Sequence, residues 1–255
     1  MTRTPVALPH SFLDRPIAHR ALHDVTDGRP ENSRAAIRAA MDAGYGIEID
    51  LQMSRDGQAM VFHDFHLGRL TDENGPIRQR DAAALASIPL KGGDEGVPDF
   101  AEVLSLVDGR VPLLVELKDQ HGAMGPHDGV MEQAVARALQ NYSGDVAVMS
   151  FNPHSVAAFG RFNDTVPLGL TTEAFRQKDN PLLPAATRRR LRDIPDYDQV
   201  GASFISHDVN DLKNPAVTKL KARGVPVLCW TVKSPAQEKT AREIADNITF
   251  ERYLA

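Results

Sequence analysis

Cysteine is almost missing from this chain: Cys229 is the only one in 255 residues. No intrachain disulfide can form, so a small secreted scaffold held by disulfides is excluded. Cys229 sits in the apolar run Val225-Pro226-Val227-Leu228-Cys229-Trp230 and reads as a small buried hydrophobe. Long apolar runs are missing too. Nowhere does the sequence offer the about 18 consecutive apolar residues of a membrane span, and Met1 to Arg15 contains no apolar signal core. A cytoplasmic protein without stable membrane insertion is therefore expected. Excess positive charge is absent as well: the formal net charge is −5 and the pI is near 6.0. Nucleic acid is not an expected partner. The one basic run, Arg188-Arg189-Arg190 with Arg192, reads as a solvated helix face. No linker, low-complexity tract or internal repeat divides the chain.

What is present is a rhythm. With 42% hydrophobic and 25% charged residues, short apolar runs alternate with amphipathic stretches, the pattern of a parallel sheet with crossover helices. Expected strands are Pro16 to His19, Gly46 to Leu51, Pro112 to Lys118, Asp145 to Ser150, Val166 to Leu170, Ala202 to Ser206, Val225 to Thr231 and Asn247 to Phe250. A turn at Asp56-Gly57 returns a further strand, Ala59 to Phe62. Expected helices are Asn32 to Ala43, with Asn32 and Ser33 as caps and Gly44 as terminator, then Asp99 to Val107, His127 to Gln140, Pro153 to Phe162, Leu182 to Asp193, Pro215 to Arg223 and Pro235 to Ala245. Eight β/α units in one series predict a TIM (β/α)8 barrel, one domain over 1–255. Residues 64–96, rich in Asp, Gly and Pro, read as an insertion across one barrel end, too short to hold a core.

In such a barrel, side chains leaving the C-terminal strand ends meet at one mouth. Polar groups recur at those ends: His19-Arg20, Glu48 and Asp50, His63-Asp64, Glu116 and Lys118. Residues two apart on a strand point the same way, so Glu48 joins Asp50 and Glu116 joins Lys118 on one face. Three converging carboxylates repel one another unless a cation sits among them, and an all-oxygen set suits Mg²⁺ or Ca²⁺ better than Zn²⁺. The competing arrangement is internal salt bridges to Arg20 and Lys118. His19 and His63 are acid/base candidates; with two fixed cations they supply the parts that phosphodiester hydrolysis requires. The remaining histidines, His23 and His207 among them, read as surface or structural. Trp230 could pack on a glycerol or choline group or serve as a core aromatic.

The segments Ile17-Ala18-His19-Arg20, Pro30-Glu31-Asn32-Ser33, Glu48-Ile49-Asp50, Arg55-Asp56-Gly57 and Val61-Phe62-His63-Asp64 occur in the order seen in the glycerophosphodiester phosphodiesterase family. Glu116-Leu117-Lys118, Ser150-Phe151 and Trp230-Thr231-Val232 extend the resemblance from about Pro16 to Thr249. It implies a TIM barrel that hydrolyses glycerophosphodiesters to glycerol 3-phosphate and an alcohol. It also implies one divalent cation on Glu48, Asp50 and Glu116, catalysis by His19 and His63, phosphate contacts from Arg20 and Lys118, and Glu31 near the metal. Two departures stand out: Ala21 where the family usually has Gly, and Thr249-Phe250-Glu251 in place of the commoner Thr-Asp with a nearby Pro. Both predict altered substrate fit before lost activity. Rival readings are a lysophospholipase D or sphingomyelinase-D-like enzyme acting on lipid, a non-catalytic phosphodiester-binding protein, and an amidohydrolase. The last would want His-x-His on the first strand, where this chain has His19-Arg20.

Overall fold

The computed structural model describes residues 3–126 and 128–255. Met1 and the helix start expected at His127 lie outside the described residues. Eight parallel strands close into a barrel: β1 (Ile17–Ala18), β2 (Gly46–Met53), β4 (Leu113–Leu117), β5 (Val146–Ser150), β6 (Leu168–Thr172), β7 (Phe204–Asp208), β8 (Val227–Val232) and β9 (Asn247–Phe250). The short β1 closes the ring by pairing with both β2 and β9. The ninth strand, β3 (Ala59–Val61), turns back antiparallel on β2. Helices lie between the strands: α2 (Arg34–Asp42), α4 (Phe100–Val107), α5 (Val130–Ala138), α6 (Pro153–Phe162), α7 (Ala185–Arg192), α8 (Pro215–Ala222) and α9 (Pro235–Ala241). Two short helices, α1 (Ser11–Asp14) and α3 (Ala82–Leu85), complete the set.

Strand alternation divides the side chains into two populations. Ile47, Ile49, Val115, Leu117, Val148, Leu170, Ile205, Val227, Cys229 and Ile248 face outward and pack under the helices in the main core. Ile17, Leu114, Ala147, Met149, Phe204 and Leu228 face inward and form a second cluster with Phe12 of α1. The N-terminal segment thus contributes to the bottom of the barrel, where Asn247 Nδ2 donates to the carbonyls of Phe12 and Arg15 at 2.8 and 2.6 Å. Gly169 is required there: a Cβ at that position would stand 2.3 Å from the Phe204 ring.

Several expected boundaries shift, each for a local reason. β6 and β7 begin two residues late because Val166 N–H is spent on the Asn163 side chain and Ala202 N–H closes a turn to Tyr197 O. β8 starts at Val227 because Val225 N–H closes α8 on Leu220 O and Pro226 has no N–H. α7 begins at Ala185, after Pro184. Ser33, not Asn32, caps α2. The insertion 64–96 corrects an expectation: it does hold a small core. Leu67, Ile77, Leu85 and Leu90 are buried with Met60, Phe62 and Val97, so the segment completes its core with residues of the β3 region that flank it. The Arg188–Arg190 run lies on α7, where Arg190 pairs with Asp196 and Arg188 donates to Leu183 O.

Candidate active site

Glu48 and Asp50 of β2 and Glu116 of β4 reach the C-terminal mouth from adjacent strands, with Asp50 directly opposite Glu116 in register. All three are buried, and one oxygen from each lies within 4.8 Å of the others. Glu48 Oε2 accepts from the backbone N–H of Arg20 at 2.8 Å. Asp50 Oδ2 accepts from Asn32 Nδ2 at 2.9 Å. Lys118 Nζ stands 2.7 Å from Glu116 Oε1 and 3.1 Å from Asp50 Oδ1. Arg20 reaches Glu31 Oε1 at 2.8 Å and Asp50 Oδ2 at 3.5 Å. Both internal salt bridges foreseen as the alternative for Arg20 and Lys118 are therefore formed.

The electrostatics follow from crowding. Burial, then repulsion from Asp50 and Glu116, pushes Glu48 well above the ordinary glutamate range. Burial also works against Asp50, yet Lys118, His63 and Arg20 outweigh it and hold Asp50 low. Burial disfavours the Lys118 cation, but Asp50 and Glu116 more than compensate and raise its pKa, so it stays charged. Three oxygen donors, one of them with a raised proton affinity, fit a hard divalent cation, which would relieve the repulsion that raises Glu48.

Each histidine is held by one nitrogen. His19 Nδ1 is 2.7 Å from Glu251 Oε2, and His63 Nδ1 is 2.7 Å from Asp64 Oδ1. A carboxylate on Nδ1 fixes the tautomer and leaves Nε2 for chemistry. Burial lowers the His19 pKa, only partly offset by Glu251, so its neutral form is favoured. Glu251 is held low because the hydrogen bond with His19, the nearby His23 and the ammonium of Lys233 together overcome its burial. On the other side, Arg69 of the insertion binds Asp64 and Glu31 together, at 2.6 to 2.8 Å. Glu31 thus reaches the carboxylates only through Arg20.

His19, Arg20, Glu48, Asp50, His63, Glu116 and Lys118 line one cavity of about 50 Å³, with Phe151 and Trp230 at its wall, whereas Glu31 does not border it. Trp230 is partly buried, donates to Ser206 O at 3.0 Å and meets Phe151 edge-on at 5.4 Å. A larger hollow of about 880 Å³ lies outside the barrel around Asp211 and Lys213 and contains none of these groups. Sequence reasoning missed Glu251, Arg69 and the second role of Asn32, and it set His23 apart although His23 lies 3.6 Å from Glu251. Glu251 had a readable signal: it follows Thr249 at the strand period of two. His207 is a structural residue, buried and bonded to Thr172 Oγ1 at 2.7 Å. Ala21 adopts φ +65°, which explains why glycine suits that position.

Residues 19–247 match the Glycerophosphoryl diester phosphodiesterase family. A glycerophosphodiester phosphodiesterase of Bacillus subtilis is 25% identical over 241 residues, covering 86% of this chain and 77% of the relative. That of Caldanaerobacter subterraneus is 29% identical over 163 residues, 60% of this chain and 65% of the relative. An Oleispira antarctica phosphodiesterase, solved in complex with the product sn-glycerol-3-phosphate, shares the fold with a TM-score of 0.76 at 22% identity, over 95% of this chain and 94% of that one. The match across nearly the whole barrel, together with the carboxylates and histidines at its mouth, shows that the chain belongs to the glycerophosphoryl diester phosphodiesterase family and is an enzyme, a phosphoric diester hydrolase.

Proposed function

We propose that the protein hydrolyses glycerophosphodiesters to glycerol 3-phosphate and an alcohol, using one divalent cation, Mg²⁺ or Ca²⁺, held by Glu48, Asp50 and Glu116. The observation that carries this reading is the convergence of three buried carboxylates with two histidines, each oriented through Nδ1, around one cavity. When bound, the cation would polarise the phosphoryl oxygens and offset the charge that develops on them. Arg20 and Lys118, kept cationic by their carboxylate partners, turn part of their charge to the phosphate. His19, neutral and oriented by Glu251, takes the proton of the nucleophile, either water or the glycerol 2-hydroxyl; in the second case a cyclic phosphate forms as the alcohol leaves, and water then opens it to glycerol 3-phosphate. His63, oriented by Asp64, protonates the departing oxygen. The glycerol 3-phosphate bound by the Oleispira antarctica phosphodiesterase supports the same product for this chain. The test is release of glycerol 3-phosphate from glycerophosphocholine with Mg²⁺, Ca²⁺ or EDTA. Activity that survives EDTA, or a His19→Ala variant as fast as the parent, would sink the reading.

A further inference from the structure

His19 lines the catalytic cavity, but its Nδ1 turns to Glu251, and Glu251 with His23 borders a second hollow of about 390 Å³ between the loop after β1 and the chain end. The two spaces share no lining residue. One ligand atom each from His19, His23 and Glu251 lies within 4.8 Å of the others, a cluster that has no residue in common with the three carboxylates. His23 Nε2 stands 3.6 Å from Glu251 Oε2, is shut off from solvent and has no hydrogen-bond partner among the described residues.

Two imidazole nitrogens and one carboxylate oxygen suit Zn²⁺, whereas Mg²⁺ and Ca²⁺ call for oxygen donors. Lys233 and Arg252 approach Glu251 Oε1, at 2.9 and 3.4 Å, and leave Oε2 to the histidines. Tetrahedral zinc with bonds of about 2.0–2.1 Å places its ligand atoms roughly 3.3–3.4 Å apart. His23 Nε2 and Glu251 Oε2 already stand near that separation, so only the 2.7 Å contact of His19 Nδ1 has to open, by roughly 0.6 Å. The second hollow gives the ion a path of entry and a water for the fourth position.

Occupation changes what His19 can do. Without the ion, Nδ1–H donates to Glu251 and the lone pair of Nε2 is free to accept a proton. Zn²⁺ bonds to the lone pair of Nδ1; the N–H bond there breaks, and the ring's proton is held at Nε2 instead. The nitrogen that has to accept a proton then already carries one.

We propose that His19, His23 and Glu251 form an inhibitory Zn²⁺ site that disables the catalytic base from the far side of its ring, apart from the cation site of the three carboxylates. Its effect on rate rests on the phosphodiesterase reading; metal binding does not. Calorimetry would titrate Zn²⁺, in excess Mg²⁺, into the full chain, Glu48→Gln and His23→Gln. The binding event should persist in Glu48→Gln and weaken at least about tenfold in His23→Gln, the loss that follows even when an outer partner of a metal site is removed. Zn²⁺ should also raise the melting temperature of the parent and of Glu48→Gln more than that of His23→Gln. Glu251→Gln, which keeps a hydrogen-bond acceptor for His19 but is a poor zinc ligand, should weaken the event likewise and serves should His23→Gln misfold. On glycerophosphocholine, Zn²⁺ should lower the kcat of the parent by about 10²–10⁴-fold, the contribution of a general base. Added Mg²⁺ should not relieve it, and His23→Gln should keep most of its own zinc-free rate. Binding unchanged in His23→Gln, or inhibition that Mg²⁺ relieves, would overturn the site and put the zinc on the carboxylates. A parent protein that hydrolyses no diester would defeat the phosphodiesterase reading, while calorimetry would still decide the zinc site.

Discussion

The two ends of the barrel interior are built from the same strands and do opposite work. At the bottom, Ile17, Leu114, Phe204 and Leu228 close on Phe12 with almost no contact with water. Two residues further along the same strands stand His19, Glu116, Ser206 and Trp230, at the charged mouth. The bottom contributes stability by burying apolar surface. The mouth costs stability, because charges gathered away from water are compensated only in part. One step of the strand period separates scaffold from site.

That contrast can be broken most forcefully at the mouth. His63→Ala should lower kcat by about 10²–10⁴-fold while the melting temperature stays near that of the parent; joint loss of fold and rate would place His63 with the scaffold. At the bottom the converse holds. Phe204→Ala should cost about 3–5 kcal/mol in chemical denaturation, with the rate per folded molecule little changed. Glu251→Gln should reduce kcat, because the carboxylate that fixes the His19 tautomer is lost. It should also move the acid limb of the pH–rate profile to lower pH, since His19 loses the partner that raises its pKa.

Glu48→Gln should reduce activity yet stabilise the metal-free protein. A carboxyl whose folded pKa is raised contributes stability below its unfolded value and loses it as pH rises through the folded value. Melts in EDTA should therefore show the parent weakening upward from the ordinary glutamate range and the Gln variant holding level; parallel curves would refute the crowding that raises Glu48. The smallest effect is expected of Ala21→Gly. Relief of the positive φ and loss of one buried methyl, each about 1 kcal/mol, nearly cancel.

Much of this arrangement was legible in the residues. The alternation in Leu114-Val115-Glu116-Leu117-Lys118 announces a strand with one apolar face and one face that turns polar at its end. The insertion was less legible, because its core is shared: Leu67 and Ile77 bury themselves only by meeting Met60 and Phe62. Strand starts at Leu168, Phe204 and Val227 were misplaced because preceding turns consumed backbone donors that composition does not reveal. Asn32 was read for its local capping chemistry, but its side chain is committed to Asp50, 18 residues away.

By itself, the sequence determined the barrel, the strands that carry polar ends and the identity of the charged and histidine residues gathered there, because periods of two and 3.6 are local properties of the chain. Only the tertiary structure decided which groups hold which. Glu251 meets His19 across 232 residues, and Arg69 of the insertion joins Glu31 to Asp64. Those pairings exist because closure of β1 onto β9 brings the two ends of the chain to one mouth, and no local pattern encodes that closure.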